Sequence, residues 1–226
     1  LNMGMLDLHH IEVLRGPQGT LYGAGAMGGV LKYVTNQPDT TELSGNVKLG
    51  SSWTQDGGHG FLTNAVVNVP IKEDVAAVRI AAFSERTGGN YDAIGPAGTE
   101  NVDRGRTNGA RVSALLTPTR ESAIRFTATH QDIGRNGMGF EVIDRNTLKP
   151  IYGERQRYID IGEPFRNRTT LVAVDAEYDF GWARLNSITS SQDTKMRNGV
   201  DLTPRYGPFL RNLGISGFTD KGEERL

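Results

Sequence analysis

The chain has 226 residues with 29 Gly, 9 Pro and no Cys, and its formal net charge is −1. The absence of Cys excludes a disulfide framework, a thiolate zinc site and a cysteine nucleophile, and the charge balance argues against a nucleic-acid binder. No stretch approaches the roughly 18 consecutive apolar residues of a transmembrane helix. The mean hydropathy of −0.42 is still compatible with transmembrane strands, because their apolar residues alternate with polar ones.

The first part of the chain, up to about residue 40, is unusually rich in glycine. Two short apolar runs, 11–14 and 30–35, predict strands, and five Gly lie between positions 19 and 29. Glycines this frequent favour tight turns or close backbone approach and disfavour a regular helix.

From about residue 43 onward, apolar and polar residues alternate in seven successive runs. In the sixth run, for example, Val172 and Val174 alternate with Ala173 and Asp175. A side-chain period of two predicts a strand with one apolar and one polar face. The seven predicted strands are 44–54, 60–69, 75–85, 106–117, 122–131, 168–180 and 182–192.

The connections between these runs differ in length at the two ends of the predicted sheet. Short connections lie at one end, at 70–74, 118–121 and 181. Long connections rich in Gly, Asn, Asp and Pro lie at the other end, at 88–105, 132–167 and from 193 onward, together with the short connection 55–59. This sorting is typical of a transmembrane up-and-down barrel.

The distribution of aromatic residues supports a membrane barrel. Tyr178, Phe180 and Trp182 flank a short turn, where amphipathic rings would lie at the level of lipid headgroups. Phe83 and Phe126 are expected to point outward or to lie at the rim.

Two enzyme-like patterns in the sequence lack the context that they require. Residues 23–28 match the G-x-G-x-x-G dinucleotide motif, but the segment before Pro38 is too short for a crossover helix and no alternation of strands and helices follows. Two of the four His are adjacent, at positions 9 and 10, and the other two lie far from them in the sequence. No nucleophile elbow is visible. We therefore predict no enzymatic activity, no cofactor and no metal site.

The glycine-rich segment resembles a known family. Residues 11–23 read Ile-Glu-Val-Leu-Arg-Gly-Pro-Gln-Gly-Thr-Leu-Tyr-Gly, and residues 28–38 read Gly-Gly-Val-Leu-Lys-Tyr-Val-Thr-Asn-Gln-Pro. Over about residues 9–38 the chain closely resembles the end of the plug domain of TonB-dependent outer-membrane receptors, in the iron-complex receptor branch. The plug motif, which we expect to have structural roles, comprises Arg15, Gly16, Pro17, Leu21, Tyr22, Gly23, Gly28 and Gly29.

The resemblance implies roles for several of these residues. In this family a plug fills a barrel of about 22 strands, and TonB pulls on an N-terminal box of the plug to let ligand through. Arg15 lies at the position of a plug arginine that pairs with carboxylates of the barrel wall. Gly16 and Pro17 are expected to turn the strand, while Gly28 and Gly29 are expected to let plug backbone pack near the wall.

The resulting expectation for the fold is an all-β chain: the end of a plug domain followed by the first antiparallel strands of a transmembrane β-barrel, about seven of 22. Residues 1–40 would form the C-terminal part of the plug, and residues 41–226 the N-terminal part of the barrel. The chain starts at Leu1 without a leader, so either a leader was removed or the chain is a fragment. Because about seven strands are readable where the family has about 22, we expect an internal fragment that lacks the TonB box and most strands.

The expected function is TonB-dependent active transport of a scarce nutrient, foremost a ferric siderophore or other iron complex, across the outer membrane of a Gram-negative bacterium. Expected partners are the TonB complex of the inner membrane, the ferric chelate and outer-membrane lipid, without nucleic acid. The short turns would face the periplasm and the long loops the outside, with 132–167 mobile. In family members the ligand-binding apices of the plug lie earlier in the chain, and we assign no ligand-contacting residue here. The alternative is a soluble all-β adhesin or carbohydrate-binding module.

Overall fold

The computed structural model describes residues 6–214 and 221–225, and almost all of its regular structure is β-strand. The elements in chain order are β1 (Leu8–Arg15), α1 (Gly19–Tyr22), β2 (Gly29–Thr35), β3 (Ser44–Trp53), β4 (His59–Lys72), β5 (Ala76–Thr87), β6 (Asp92–Ile94), β7 (Gly105–Thr119), β8 (Ser122–Arg135), β9 (Gln156–Tyr158), β10 (Phe165–Asp179), β11 (Arg184–Asp201), α2 (Thr203–Asn212) and β12 (Lys221–Arg225).

Eight strands form one antiparallel sheet in the order β12-β11-β10-β8-β7-β5-β4-β3. All seven predicted strands are present in this sheet, so the predicted all-β fold is confirmed. In the described part of the chain the sheet stays open between β3 and β12. Of the helices in that part, none combines the length and the apolar character needed to cross a bilayer.

The prediction for the last part of the chain is wrong in detail. The segment from 193 onward was expected to be a loop, but β11 continues to Asp201. It pairs with β10 up to Asn198, which is aligned with Phe165. Residues 193–198 are mostly polar and show no alternation of apolar and polar residues, so the strand is revealed by its pairing with β10 and, from 197, with β12. The helix α2 was not predicted either.

The two faces of the sheet differ in polarity. On one face, which we call the outer face, the register aligns Val67 with Ile80 and Ile80 with Val112, and all three side chains are exposed. The opposite, inner face carries buried polar residues such as Asn68 and Arg111. An antiparallel sheet with an apolar outer face and a polar inner face matches the wall of a membrane barrel.

The connections at the two ends of the sheet follow the predicted asymmetry. At one end β4 and β5 are joined through 73–75, β7 and β8 through 120–121, and β10 and β11 through 180–183. At the other end the loops 88–104 and 136–164 contain β6 and β9, which pair in parallel.

The two long loops form one packed unit. Ala93 and Val102 of the first loop and Ile159 of the second loop share a small buried cluster. The loop is shorter than the predicted 132–167, because its ends belong to β8 and β10, and it packs on its neighbour through Ile159. Its mobility stays a prediction.

The N-terminal segment forms a separate antiparallel hairpin, β1 with β2. It contacts the inner face of the main sheet through the two residues that precede β1, Leu6 and Asp7. The contact between this hairpin segment and the sheet is the candidate functional site.

Candidate functional site

Asp7 is the centre of the contact between the N-terminal segment and the sheet. Its side chain is 3% exposed. Arg79 donates from Nε to Oδ2 and from Nη2 to Oδ1, each at 2.7 Å. Arg111 donates from Nη2 to Oδ2 at 3.1 Å, and Asn36 donates from Nδ2 to Oδ1 at 2.8 Å. The carboxylate therefore has charged or polar donors on both oxygens, which stabilises its ionised form.

The strand register explains why two arginines meet one carboxylate. Arg79 of β5 is aligned with Ser113 of β7, and Arg111 is aligned with Ala81. The two guanidinium groups therefore extend from the same face of adjacent strands, two residues apart in register, and repel each other unless an anion lies between them. Asp7 supplies that anion, and its backbone oxygen also accepts a hydrogen bond from Arg111 at 3.1 Å.

The ionisation of Asp7 is shifted by this environment. Burial raises the pKa of the Asp7 carboxyl, but the hydrogen bonds from Arg79 and Asn36 and the charges of Arg79 and Arg111 outweigh burial and hold the pKa below its usual value of 3.8. The carboxylate is therefore ionised throughout the neutral range, and the contact carries its full electrostatic attraction there.

An apolar contact lies beside the ion pair. Leu6 packs with Val66 of β4 and Ala81 of β5 in a buried cluster, and the partly buried Phe83 packs against it. Phe83 was expected to point outward or to lie at the rim. It lies on the inner face because it alternates with Ala82, which shares the outer face with Ile80.

The linker between the hairpin and the main sheet is fixed by a buried asparagine. Asn68 of β4 is 0% exposed, and its Nδ2 donates to the backbone oxygens of Asp39 at 2.9 Å and Glu42 at 2.7 Å. Its Oδ1 accepts from the backbone N–H of Asp39 at 2.9 Å. The N-terminal segment is thus attached to the inner face at two places, Asp7 and the linker.

Arg15 lies away from this contact. It is the last residue of β1, its side chain is exposed, and among the described residues it makes no ion pair. The pairing of Arg15 with a wall carboxylate stays a prediction, and the described structure pairs Arg79 and Arg111 of the sheet with a carboxylate of the N-terminal segment.

The remaining residues of the plug motif form the turn between β1 and β2. Gly16 has φ +82°, a conformation that favours glycine, and with Pro17 it ends β1. Tyr22 is the exposed last residue of α1, and Gly23 with φ +87° ends that helix. Leu21 belongs to α1, and the prediction for its side chain lies outside the described part of the structure.

Among the described residues, the two glycines expected to approach the barrel wall, Gly28 and Gly29, have no close contact with the main sheet. Gly28 has open space where a side chain would begin. Gly29 has φ +136°, and a Cβ on it would lie 2.5 Å from the backbone oxygen of Leu14. Its close approach is therefore to β1, its own hairpin partner, rather than to the sheet.

A second buried ion pair fixes the long loop 136–164. Arg157 and Glu163 pair at 2.8 Å with side chains 4% and 1% exposed, and the Arg157 guanidinium lies 3.8 Å from the centre of the Phe140 ring. Glu163 Oε1 also accepts from the backbone N–H of Asp201 at 2.8 Å, which ties the loop to the end of β11.

The chemistry of these contacts is binding rather than bond breaking. Guanidinium–carboxylate pairs and amide hydrogen bonds hold one segment against another. In residues 6–214 and 221–225, no three His, Cys, Asp or Glu side chains are grouped so that they could hold a metal ion. Asp7, Asn68 and Arg111 were not singled out from the sequence as contact residues, because their partners are far away along the chain.

Comparison with known proteins agrees with this architecture. A pesticin receptor from Yersinia enterocolitica is 35% identical over 103 residues, which is 40% of this chain and 15% of that receptor. A ferric enterobactin receptor from Pseudomonas aeruginosa is 28% identical over 209 residues, 85% of this chain and 26% of the receptor. No protein-family model matches the chain. The chain thus spans about a quarter or less of the length of these two relatives.

Solved structures of similar fold belong to the same group of receptors. The ferric yersiniabactin uptake receptor FyuA from Yersinia pestis has a TM-score of 0.67 and 21% identity over 86% of this chain and 29% of its own. The ferripyoverdine receptor of the Pseudomonas aeruginosa outer membrane has a TM-score of 0.65 and 19% identity over 84% of this chain and 25% of its own. The chain is therefore similar to TonB-dependent siderophore receptors of the outer membrane, and it shares the fold of part of such receptors.

Proposed function

We propose that this chain is a segment of an outer-membrane receptor that imports a ferric siderophore or another iron complex. The main support for the proposal is the position of the N-terminal segment. This segment lies on the polar inner face of an antiparallel sheet whose outer face is apolar. A plug segment inside a barrel wall has this arrangement. The receptor would transport its ligand without bond chemistry and would not be an enzyme.

The division of the chain follows from the same arrangement. Residues 1–40 would be the end of the plug, and residues 41–226 would be the first part of the barrel. The proposed boundary lies in the linker that Asn68 holds through Asp39 and Glu42. The linker would thus keep the last part of the plug attached to the wall at the point where the barrel begins.

The proposed orientation places the short turns in the periplasm and the loops 88–104 and 136–164 outside the cell. Three exposed aromatic residues around the short turn 180–183 support it: Tyr178, Phe180 and Trp182. The ring centres of Tyr178 and Phe180 lie 4.6 Å apart, and those of Phe180 and Trp182 lie 6.1 Å apart. Such a group suits the headgroup level of the inner leaflet. The packed loop unit would then be the first part of this segment to meet a ligand.

The proposed ligand class rests on the names of the relatives. They are called receptors for pesticin, ferric enterobactin, ferric yersiniabactin and ferripyoverdine. These iron complexes differ from one another, so the proposal stops at an iron complex. The apolar outer face and this homology give no support to a soluble adhesin or carbohydrate-binding module.

The proposed energy source is the TonB complex of the inner membrane, which would act through a part of the receptor outside this segment. The test is uptake of radioactive iron, supplied as ferric enterobactin, ferric yersiniabactin and ferripyoverdine, by iron-starved cells that express the complete receptor. We expect uptake of at least one of the three and loss of that uptake when TonB is deleted. Uptake that continues without TonB, or receptor-independent uptake of all three, would contradict the proposal.

A further inference from the structure

The contact at Asp7 joins two parts of the chain that have to separate if a plug segment moves away from the wall. Beside the ion pair lies a small apolar cluster of Leu6 with Val66 and Ala81. Because so few side chains bury little apolar surface, the attachment at this point depends on the charged groups as well. The question is therefore what happens to these charges when the segment moves.

Asp7 is tied to the N-terminal hairpin as firmly as to the wall. Asn36, which follows β2, donates its backbone N–H to the backbone oxygen of Asp7 at 3.0 Å and its Nδ2 to Asp7 Oδ1 at 2.8 Å. The φ of Asp7 is +52°, a conformation that residues other than Gly seldom adopt. A displacement of the hairpin would therefore take the carboxylate of Asp7 with it and leave the two arginines on the wall.

The two arginines form a site that fits a carboxylate group. Arg79 directs Nε and Nη2 at the two oxygens of Asp7, and Arg111 directs Nη2 at Oδ2. Paired N–H groups of a guanidinium match the two oxygens of a planar carboxylate. The carboxylate of another molecule can make the same hydrogen bonds once Asp7 has left.

The neighbours of the two arginines in the strand register are neutral. Ser113 lies opposite Arg79, and Thr129 lies opposite Arg111. Ser113 and Arg111 are only 6% and 7% exposed, so water screens the charges poorly. Without a carboxylate between them, the two guanidinium groups would repel each other in a poorly solvated place.

The linker brings one further carboxylate near the site, and it is already used. The charge of Asp39 acts on Arg79, but Asp39 Oδ1 accepts the backbone N–H groups of Thr41 at 2.7 Å and Glu42 at 3.3 Å. Among the described residues, no ion pair joins Asp39 to either arginine. The site therefore keeps an excess of positive charge when Asp7 leaves.

We propose that Arg79 and Arg111 form an anion site on the barrel wall, which Asp7 occupies at rest and a carboxylate group of the imported iron complex occupies during passage. This inference deepens the proposed function and rests on it. A buried guanidinium group without a partner is strongly unfavourable. Exchange of one carboxylate for another avoids that state, so the passing ligand would make the displacement of the plug segment easier.

The first arm of the test measures whether the two arginines bind a free carboxylate. In the purified complete receptor, Asp7→Gly removes a side chain of the size of acetate, and Gly suits the backbone conformation at this position. We expect acetate to raise the melting temperature of this variant above its value in chloride at equal ionic strength, because acetate binds the folded state. The unaltered receptor, in which Asp7 fills the site, should need at least about tenfold more acetate for the same rise.

The matched control is Asp56→Gly. Asp56 has the same φ of +52° and also pairs with an arginine, but its side chain is exposed, so no comparable rise is expected. Adding Arg79→Gln and Arg111→Gln to Asp7→Gly should abolish the rise. No rise in Asp7→Gly, or a rise of equal size without the two arginines, would overturn the anion site.

The second arm measures whether the imported complex uses the site. The neutral variant, Asp7→Asn with Arg79→Gln and Arg111→Gln, removes all three charges but keeps side chains that form hydrogen bonds, and Asp7→Asn alone keeps both arginines. We expect the maximal rate of iron uptake to fall at least about tenfold in the neutral variant, with ligand binding at the cell surface unchanged, and to be retained in Asp7→Asn. Folding is checked by the heat-dependent shift of the receptor band on gels.

The two arms separate this inference from the proposed function. Uptake at the full rate by the neutral variant would overturn the role of the site in passage and leave the transport function intact. If the unaltered receptor imports none of the three chelates named above, the transport function and the role in passage both fail, whereas the acetate result stands by itself.

Discussion

At the scale of single residues, the contact made by Asp7 determines how firmly the N-terminal segment is held. Replacing Asp7 with Asn removes the only anion that the described structure places between Arg79 and Arg111. Leaving two arginines without their buried partner costs about 3–5 kcal/mol. We expect the variant to exchange amide hydrogens of β1 and β2 faster in the complete receptor, as measured by hydrogen–deuterium exchange.

The matched control is Asp56→Asn. Asp56 also pairs with an arginine, Arg155, at 2.8 Å, but its side chain is 67% exposed. An exposed pair contributes about 0–1 kcal/mol, so exchange in β1 and β2 should not change. Equal exchange in the two variants would show that the Asp7 contact does not hold the hairpin.

The contact should also weaken in acid. The pKa of Asp7 in the folded protein is lowered from 3.8, so the stabilisation is complete above this value and is lost as the pH falls through the lowered pKa. We expect β1 and β2 to become less protected below about pH 4, after correction for the intrinsic exchange rate. Asp7→Asn should show no such step, and a step of equal size in that variant would assign it to another group.

The sequence predicts little of this contact, for a physical reason. Asp7 and Arg111 are more than a hundred residues apart, and nothing in the local pattern of either residue indicates the other. The family resemblance indicates a role for Arg15, which is exposed at the end of β1, and gives no sign of the buried pair at Asp7. Pairs that join distant strands depend on register, and register is set by the whole sheet.

At the scale of elements, the linker between hairpin and sheet depends on Asn68. Asn68→Ala would leave the backbone oxygens of Asp39 and Glu42 and the N–H of Asp39 without their buried partner. Unsatisfied buried groups cost about 1–3 kcal/mol each, so we expect a clear fall in the melting temperature of the complete receptor.

Asn64→Ala is the control on the same strand and face. Its buried Oδ1 has no hydrogen-bond partner among the described residues, so its removal should cost less than the removal of Asn68. A larger loss of stability for Asn64→Ala would contradict the role given to the linker.

The orientation of the loops can be tested with cysteines, since the chain has none of its own. Asn146→Cys lies in the exposed part of the loop 136–164, and Arg120→Cys lies in the short turn between β7 and β8. We expect an impermeant maleimide to label the first variant on intact cells and the second only after the outer membrane is opened. The reverse pattern would invert the proposed orientation.

The strands themselves could be predicted from the sequence, whereas their ends and the loops could not. Runs such as 168–180 alternate clearly because one face is apolar and the other polar. The last part of β11 lacks alternation and is a strand because β10 and β12 pair with it. The loop 136–164 is rich in Gly and polar residues, but Ile159 and the Arg157–Glu163 pair give it a buried interior that composition does not reveal.

At the scale of the whole molecule, the sheet has two open sides. Within residues 6–214 and 221–225, β3 pairs only with β4, and β12 pairs only with β11. Unpaired backbone groups in a bilayer cost several kcal/mol each, and an open edge beside an apolar face favours association between copies in water. In the proposed membrane location, the sheet would need further strands beside β3 and β12 to close it.

The measurement that tests this account most directly is the size and melting behaviour of residues 1–226 produced alone. Light scattering coupled to size exclusion, together with circular dichroism, would follow both in detergent and in plain buffer. The account predicts aggregation in buffer and β-rich assemblies of mixed size in detergent, because neither the edges nor the exposed face with Val67, Ile80 and Val112 has a partner. A monomer of single size that melts cooperatively in plain buffer would contradict the assignment of this chain to a barrel wall.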